Sequence, residues 1–366
     1  MTLEPPVVLG PDTVVGSYRL VKEIGRGGMA TVYEARHAVL PRRAAIKVMH
    51  PELRRHPGMA TRVVQEAAIL EDIRHPGIVR VYDCALLPDH RPWIAMEIVD
   101  GETLALRLAH TSPLAALEVA TMVAELADVL ASVHARGVVH RDLKPDNILL
   151  VPGDRDFPLR IIDWGVARLG PIGHITLDGL TPGTPIYMSP EQATGRHIGA
   201  PCDIYSLGVI AYEALSGRPP FDGRTLAEVV CMHLTSDPAP LSTPSRELAD
   251  LVYRMLDKDP SLRPGAIEVR QQARAITNEL VNAYESYEVS GLPRPRAART
   301  VRSRHHAARL AASEDACMID PEALELGITE LVPTFRRPRW TPEMALSQIS
   351  PAANDHGTER TATKRR

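Results

Sequence analysis

Cysteine is scarce in this chain, and its few copies do not cluster. Cys84, Cys202, Cys231 and Cys317 are scattered through 366 residues. That spacing excludes a disulfide framework and a cysteine-rich zinc site, and it fits a reducing, cytoplasmic compartment. Aromatic residues make up only 4% of the chain against 44% hydrophobic residues overall, so Leu, Val, Ile and Ala must build the core. No run approaches the ~18 apolar residues that cross a bilayer. Met1 to Gly10 is acidic and proline-bearing, not basic and then apolar, which is not a secretory signal, and no membrane partner is expected. Large charge excess is absent too: the formal net charge is -3. From Ser286 onward 13 Lys/Arg stand against 10 Asp/Glu, so the negative balance belongs to the body. A mildly acidic body makes nucleic-acid binding unlike this chain. The one basic run, Arg294 to Arg309, holds six arginines and no acid. It reads as solvated linker, with docking to an acidic partner as the alternative.

What is present is order in blocks. By length the chain holds about two domains, and its 32 prolines point to some linker. Tyr18 to Lys22 and Thr31 to Ala35 alternate polar and apolar, while Ala44 to Met49 and Trp93 to Ile98 are apolar runs of strand length. Between them Val63, Ala67, Leu70 and Ile73 share one face of a helix expected over Met59 to Ile73. Ser112-Pro113 carries the signals of a helix start. An apolar stripe follows from Leu117 through Val133, and Gly137 stops it. The expected organisation is an N-terminal extension (1–15), a small strand-rich lobe (16–100), a larger helical lobe (101–285) and a largely disordered tail (286–366). The fold class is therefore α+β. Val151 to Leu159 reads as a surface hairpin.

Several segments carry chemistry. Gly25, Gly27 and Gly28 lie between two strands, where missing Cβ atoms let backbone N–H groups approach phosphate oxygens; a plain hairpin is the bland reading. Lys47 sits in an apolar strand, where an unpaired ammonium is costly. Glu66 sits on the apolar face of its helix, so a Lys47–Glu66 pair is expected. Then come His140-Arg141-Asp142-Leu143-Lys144-Pro145-Asp146-Asn147, Asp163-Trp164-Gly165, and Gly183 to Glu191.

In order and spacing these segments resemble the protein kinase signature set. Ile24 to Tyr33, Asp203 to Gly208 and Ser216 to Phe221 resemble in particular the bacterial, eukaryotic-like serine/threonine kinases. The resemblance covers about residues 16 to 280. It implies a bilobal kinase fold, with an antiparallel-sheet N-lobe containing one helix and a helical C-lobe. It further implies ATP as substrate, with Mg²⁺ (Mn²⁺ as substitute) held by Asn147 and Asp163. Ile24, Gly25, Gly27 and Gly28 would cover the phosphates. Lys47, held by Glu66, would bind the α- and β-phosphates. Val32 and Ala45 would lie above the adenine and Leu149 below it. Met96 would gate the back of the pocket, and the backbone of Glu97 and Val99 would meet the adenine edge. Asp142 would serve as base, with Lys144 beside the transferred group. Thr184 would narrow the site for a Ser/Thr hydroxyl. Glu191 and Arg263 would form a buried pair, and Asp203 would hold the catalytic-loop backbone or simply cap its helix. Arg141 before the base implies control by loop phosphorylation, at Thr176 or Thr181, through autophosphorylation in a transient homodimer.

The chain departs from the family pattern at Trp164 (usually Phe), Ser189 (Ala), Ala44 (Val) and Ala30 (Gly), and none of these removes a charge. The expected activity is thus ATP-dependent phosphorylation of Ser/Thr on proteins, as a non-specific serine/threonine protein kinase. The rival readings are a pseudokinase scaffold that binds nucleotide and partners without transfer, and a small-molecule phosphotransferase on the same fold.

Overall fold

A computed structural model describes residues 7–55, 58–151, 158–164, 184–196 and 198–290. Six strands form the first lobe: β1 (Val14–Val15), β2 (Tyr18–Arg26), β3 (Ala30–His37), β4 (Arg43–Met49), β5 (Val81–Leu86) and β6 (Pro92–Met96). They make one antiparallel sheet in the order β1-β2-β3-β4-β6-β5. Alternation gives the sheet two faces. Tyr33, Ala35, Ala44, Ile46, Val48, Trp93 and Ala95 pack into an outer cluster. On the other face Ile94 and Met96 join the main core together with Val63, Ala67 and Leu70 of α1 (Met59–Asp72).

Of the expected N-terminal extension (1–15), the described residues 7–15 pack onto this lobe, and residues 1–6 lie outside the described residues. The Val7 N–H donates to Asp89 Oδ2 at 2.6 Å, and Arg91 donates through Nη2 to the Val7 carbonyl at 2.5 Å and through Nε to Asp89 Oδ2 at 2.8 Å. Both side chains are buried. Leu9 packs on the outer cluster. Gly16 crosses Trp93 so closely that a Cβ would meet the indole at 2.6 Å, and its φ of 55° favours glycine as well.

The second lobe contains α2 (Leu104–Thr111), α3 (Ala116–His134), α4 (Pro190–Ala193), α5 (Pro201–Ser216), α6 (Leu226–Thr235), α7 (Arg246–Met255) and α8 (Ala266–Ser290). A small antiparallel sheet, β7 (Glu102–Thr103), β8 (Ile148–Leu150) and β9 (Leu159–Ile161), lies at its edge. Residues 202 to 215 of α5 are buried throughout, so this largely apolar helix is surrounded. Pro201 stands in its first turn, and Gly217 closes it in the left-handed conformation at φ 79°.

The helix start read at Ser112-Pro113 is displaced. Ser112 ends α2, and α3 begins only at Ala116. The reason is tertiary: Leu114 is buried and its N–H donates to the Ala214 carbonyl of α5 at 2.7 Å, which keeps the connector extended. α8 continues to Ser290, past residue 285 where the lobe was expected to end. β8 and β9 pair as a hairpin, and the Val151 N–H reaches the Pro158 carbonyl at 2.8 Å. Residues 152–157 and those beyond 290 lie outside the described residues. Among the described residues no helix is long and apolar enough to cross a membrane.

Candidate active site

The site lies where the lobes meet. β9 runs into it and is tied to the first lobe, since the Ile161 N–H donates to the Gly77 carbonyl at 2.8 Å and Ile78 forms a parallel bridge to Ile161. Two residues later comes Asp163. From the opposite lobe Lys47, in the middle of β4 between Val32 and Ile94, reaches across and forms an ion pair with Asp163. Desolvation in the cleft pushes the Asp163 carboxyl up, but the Lys47 ammonium, with Lys144, more than offsets this and holds it below the usual range. Among the described residues the ion-pair partner of Lys47 is Asp163. The Glu66 side chain lies outside the described residues, although its helix, α1, packs beside β5 and β6.

The segment from His140 to Asn147 is held from below. Asp203, fully buried on α5, accepts the His140 N–H through Oδ2 and the Arg141 N–H through Oδ1, each at 2.8 Å. His134, at the end of α3, places Nε2 2.8 Å from the same Oδ2. Burial raises the Asp203 carboxyl, while His134, then the backbone N–H of His140, pull it below the usual value. Arg141 has a φ of 65° and Asp163 a φ of 57°. Left-handed backbone at non-glycine residues costs about 1–2 kcal/mol, and the contacts here account for its persistence. Arg141 is gripped at its N–H by Asp203 and at its carbonyl by Gln192 Nε2 at 2.8 Å. Asp163 is fixed by Lys47 and by Trp164, which is buried against His140 with ring centroids 4.8 Å apart.

His140 is itself buried, and burial lowers its imidazole below the usual range. As the neutral ring, Nδ1 accepts the Asp142 N–H at 3.3 Å and Nε2 faces the Ile162 carbonyl at 3.3 Å. Asp142 keeps its carboxylate 3.6 Å from Lys144 Nζ. Asn147, in a 3-10 turn (Pro145–Asn147), donates Nδ2 to the Asp142 carbonyl at 2.8 Å, which leaves its Oδ1 as a ligand oxygen. Among the described residues no group of three or more His, Cys, Asp or Glu forms a ready-made metal cage. The Asn147 amide oxygen and the Asp163 carboxylate are hard donors and fit a cation that takes few protein ligands and completes its shell with water and phosphate.

The glycine-rich segment is the turn between β2 and β3. Gly25 pairs with Val32, and the Gly27 N–H bonds to the Ala30 carbonyl at 2.9 Å. A Cβ at Gly25 would meet nothing within 4 Å, and one at Gly27 only a carbonyl at 3.8 Å. Packing within the chain therefore does not demand these glycines, and open space lies over the turn. Ile24 is half-buried and Gly28 exposed. Ala45 pairs across the sheet with Met96. The connector after Met96 starts with the Glu97 N–H on the Arg80 carbonyl at 2.8 Å and passes through half-buried Val99. Leu149 pairs with Thr103 and Arg160 on the other side of the cleft.

Glu191 and Arg263 form a buried two-point pair, Nη1 to Oε1 at 2.7 Å and Nη2 to Oε2 at 2.9 Å. Arg263 also donates to the carbonyls of Asp257, Pro201 and Lys258. Thr176 and Thr181 and the side chain of Thr184 lie outside the described residues.

Sequence reading missed His134, Gln192 and the Asp89–Arg91 pair. Gln192 had a signal: Ser189-Pro190-Glu191-Gln192 is a capping box, with the Ser189 N–H on Gln192 Oε1 at 3.0 Å and the Gln192 N–H on Ser189 Oγ at 3.4 Å. The serine that departs from the family alanine thus anchors the side chain that holds Arg141.

Two lobes, a glycine turn, a bridging Lys–Asp pair and a loop carrying Asp and Asn meet in one cleft. The chain belongs to the protein kinase domain family, whose model matches residues 18–273. It is 39% identical over 279 residues to the serine/threonine-protein kinase Pkn1 of Myxococcus xanthus, covering 73% of this chain and 40% of that protein. It is 36% identical over 288 residues to pkn2 of the same organism (76% and 34%) and 36% identical over 274 residues to PkaA of Streptomyces coelicolor (72% and 50%). The aligned part spans half or less of the length of these relatives.

Proposed function

We propose that this chain transfers the γ-phosphoryl group of ATP to serine and threonine hydroxyls of proteins, its own loop included. The observation that carries the reading is the meeting of Lys47 and Asp163 across the cleft, next to Asp142 and Asn147 on a loop clamped by Asp203. The acceptor hydroxyl hydrogen-bonds to the Asp142 carboxylate and gives up its proton as the oxygen bonds to the γ-phosphorus. The bond from that phosphorus to the β-bridging oxygen breaks, and ADP leaves with those electrons. Lys47 neutralises charge on the α- and β-phosphates, and Lys144, close to Asp142, does so on the group in flight. Asn147 and Asp163 would hold Mg²⁺, or Mn²⁺ in its place, which supplies Lewis-acid neutralisation of the phosphate oxygens. Ile24, Gly25, Gly27 and Gly28 cover the phosphates. Val32, Ala45, Met96 and Leu149 enclose the adenine, whose edge meets the backbone of Glu97 and Val99. Thr184 with Lys144 favours a short aliphatic hydroxyl over tyrosine.

Arg141 beside the base ties activity to phosphorylation at Thr176 or Thr181, which supplies about two negative charges to a guanidinium. The reaction runs between two copies in a transient encounter. The test is incubation of the purified full chain with labelled ATP, Mg²⁺ and a generic protein acceptor, followed by phosphosite mapping and phosphoamino-acid analysis. Labelled Ser/Thr in the wild type and none in Asp142→Asn is the expected result. Equal labelling in both, or phosphotyrosine as the main product, overturns it.

A further inference from the structure

We propose that His50 is a positioning residue for the glycine-rich turn, acting through Thr31, and that β4 thereby sets Lys47 and the turn as one phosphate-binding unit. The inference rests on the kinase reading above and adds a residue to it.

The turn has few internal ties. Arg26 forks onto Glu23 at 2.9 and 2.6 Å on the β2 side, where both are solvent-exposed, and the Gly27 N–H closes on Ala30. Exposed ion pairs of this kind fix geometry weakly. On the β3 side the restraint comes from outside the hairpin. His50 follows β4 directly; its N–H donates to the Met29 carbonyl at 2.8 Å, and its Nε2 lies 3.0 Å from Thr31 Oγ1. Thr31 is only 4% exposed, so its hydroxyl has little access to water as a substitute partner. A hydroxyl can donate or accept, so the bond survives either charge state of the ring. Thr31 pairs with Arg26 across the turn and with Val48 on β4. Holding Thr31 therefore holds the last strand residues before the exposed tip of Gly27, Gly28 and Met29.

The second link is covalent. Lys47 lies within β4 and His50 three residues on, just past its end, one directed to Asp163 and the other to the turn. The spacing between the ammonium and the turn's N–H groups is then set by β4 itself. Substituting His50 keeps its backbone bond to Met29 and removes only the side-chain bond. That isolates positioning from folding.

The experiment compares full-length wild type, His50→Leu, His50→Gln, Thr31→Val and the His50→Leu/Thr31→Val double variant. Three quantities are read: Kd for a fluorescent ATP analogue, KM for ATP against kcat, and amide hydrogen exchange across residues 24–33 without nucleotide. Loss of one hydrogen bond predicts a roughly 3- to 10-fold rise in Kd and KM for His50→Leu, with kcat changed less than KM. Exchange in the turn speeds up while α3 is unchanged. Gln, whose amide nitrogen reaches about as far as Nε2, restores most of it. Thr31→Val matches His50→Leu, and the double variant is no worse than either, because both remove one bond. Losses that add, or a His50→Leu with wild-type exchange and Kd, overturn the proposal while leaving the kinase reading intact. A wild type that neither binds nor turns over ATP overturns both. The exchange readout separates these cases because it needs no activity.

Discussion

Asp203→Asn tests how the catalytic loop is held. The carboxylate accepts three short bonds, from the His140 N–H, the Arg141 N–H and His134 Nε2, and it has no exposure to water. Asparagine keeps the shape but replaces one oxygen with a donor. If its oxygen stays on His140 and His134, its amide nitrogen faces the Arg141 N–H, donor against donor. One charge-assisted bond is lost, about 1.5–3 kcal/mol, and a backbone N–H is left unsatisfied, about 1–3 kcal/mol. The sum is about 3–5 kcal/mol once the overlap between these terms is allowed for. For a body of this size each kcal/mol moves Tm by about 2–4 °C, so a fall of roughly 6–20 °C is expected in thermal unfolding. Arg141 is also freed to leave its left-handed backbone, which moves Asp142. A misplacement of about 1 Å costs on the order of 10²-fold in rate, read from initial velocities below the new Tm.

The pH dependence gives an independent check. The Asp203 carboxyl titrates lower in the folded chain than in the unfolded one, because His134 and the loop N–H groups outweigh burial. Its contribution is therefore fully present above the unfolded value, near ~4, and is lost as pH falls through the folded value. The stability gap between wild type and variant should stay flat at neutral pH and narrow only below about pH 4. A variant within 2 °C or so of wild type and equally active would show that α5 does not hold this loop.

Three further substitutions probe separate parts. Lys47→Met should cut phosphoryl transfer by about 10²- to 10³-fold, as removal of one transition-state donor does, while circular dichroism and Tm stay close to wild type; retained turnover excludes the assigned role. Arg263→Ala leaves Glu191 buried without its two-point partner and should cost about 3–5 kcal/mol in chemical denaturation; a loss under 1 kcal/mol would mean the pair is not structural. Asp89→Ala strands buried Arg91 and releases the Val7 N–H. Limited proteolysis should then cut within residues 7–15 before the rest of the chain, and cleavage at the wild-type rate would show that the strap holds without its clasp.

The two kinds of site residue differ in how they could be read from sequence. His140 to Asn147 is one contiguous string, and β4 announces Lys47 by placing a charge in an apolar run. Local pattern is enough for these, and the strands and α1 fell close to where alternation and helical period put them. Asp203 sits 61 residues beyond Asp142, and a helix-cap reading fitted it equally well. Only the fold shows its carboxylate meeting two backbone N–H groups. The Asp89–Arg91 clasp was invisible for the same reason, since its partner is backbone more than 80 residues away. Ser112-Pro113 misled because proline punctuates in both directions. It favours a first helical turn, yet it also drives the preceding residue extended. Ser112, at φ -69° and ψ 143°, took the second option when Leu114 bonded to α5.

The same contrast explains why Asp163 is the residue on which the site depends. Its backbone is left-handed, it bonds to the opposite lobe, and its neighbour Trp164 is buried with an indole N–H that has no hydrogen-bond partner among the described residues. A backbone strain of about 1–2 kcal/mol opposes this arrangement. What holds it is the Lys47 pair, the Ile161–Gly77 tie and the apolar packing of the indole on His140. Most of those supports cross between lobes or between chain segments far apart. The geometry that brings Asp142, Lys47 and Asp163 together is therefore a property of the paired lobes, and a change in either lobe's anchoring acts directly on Asp163.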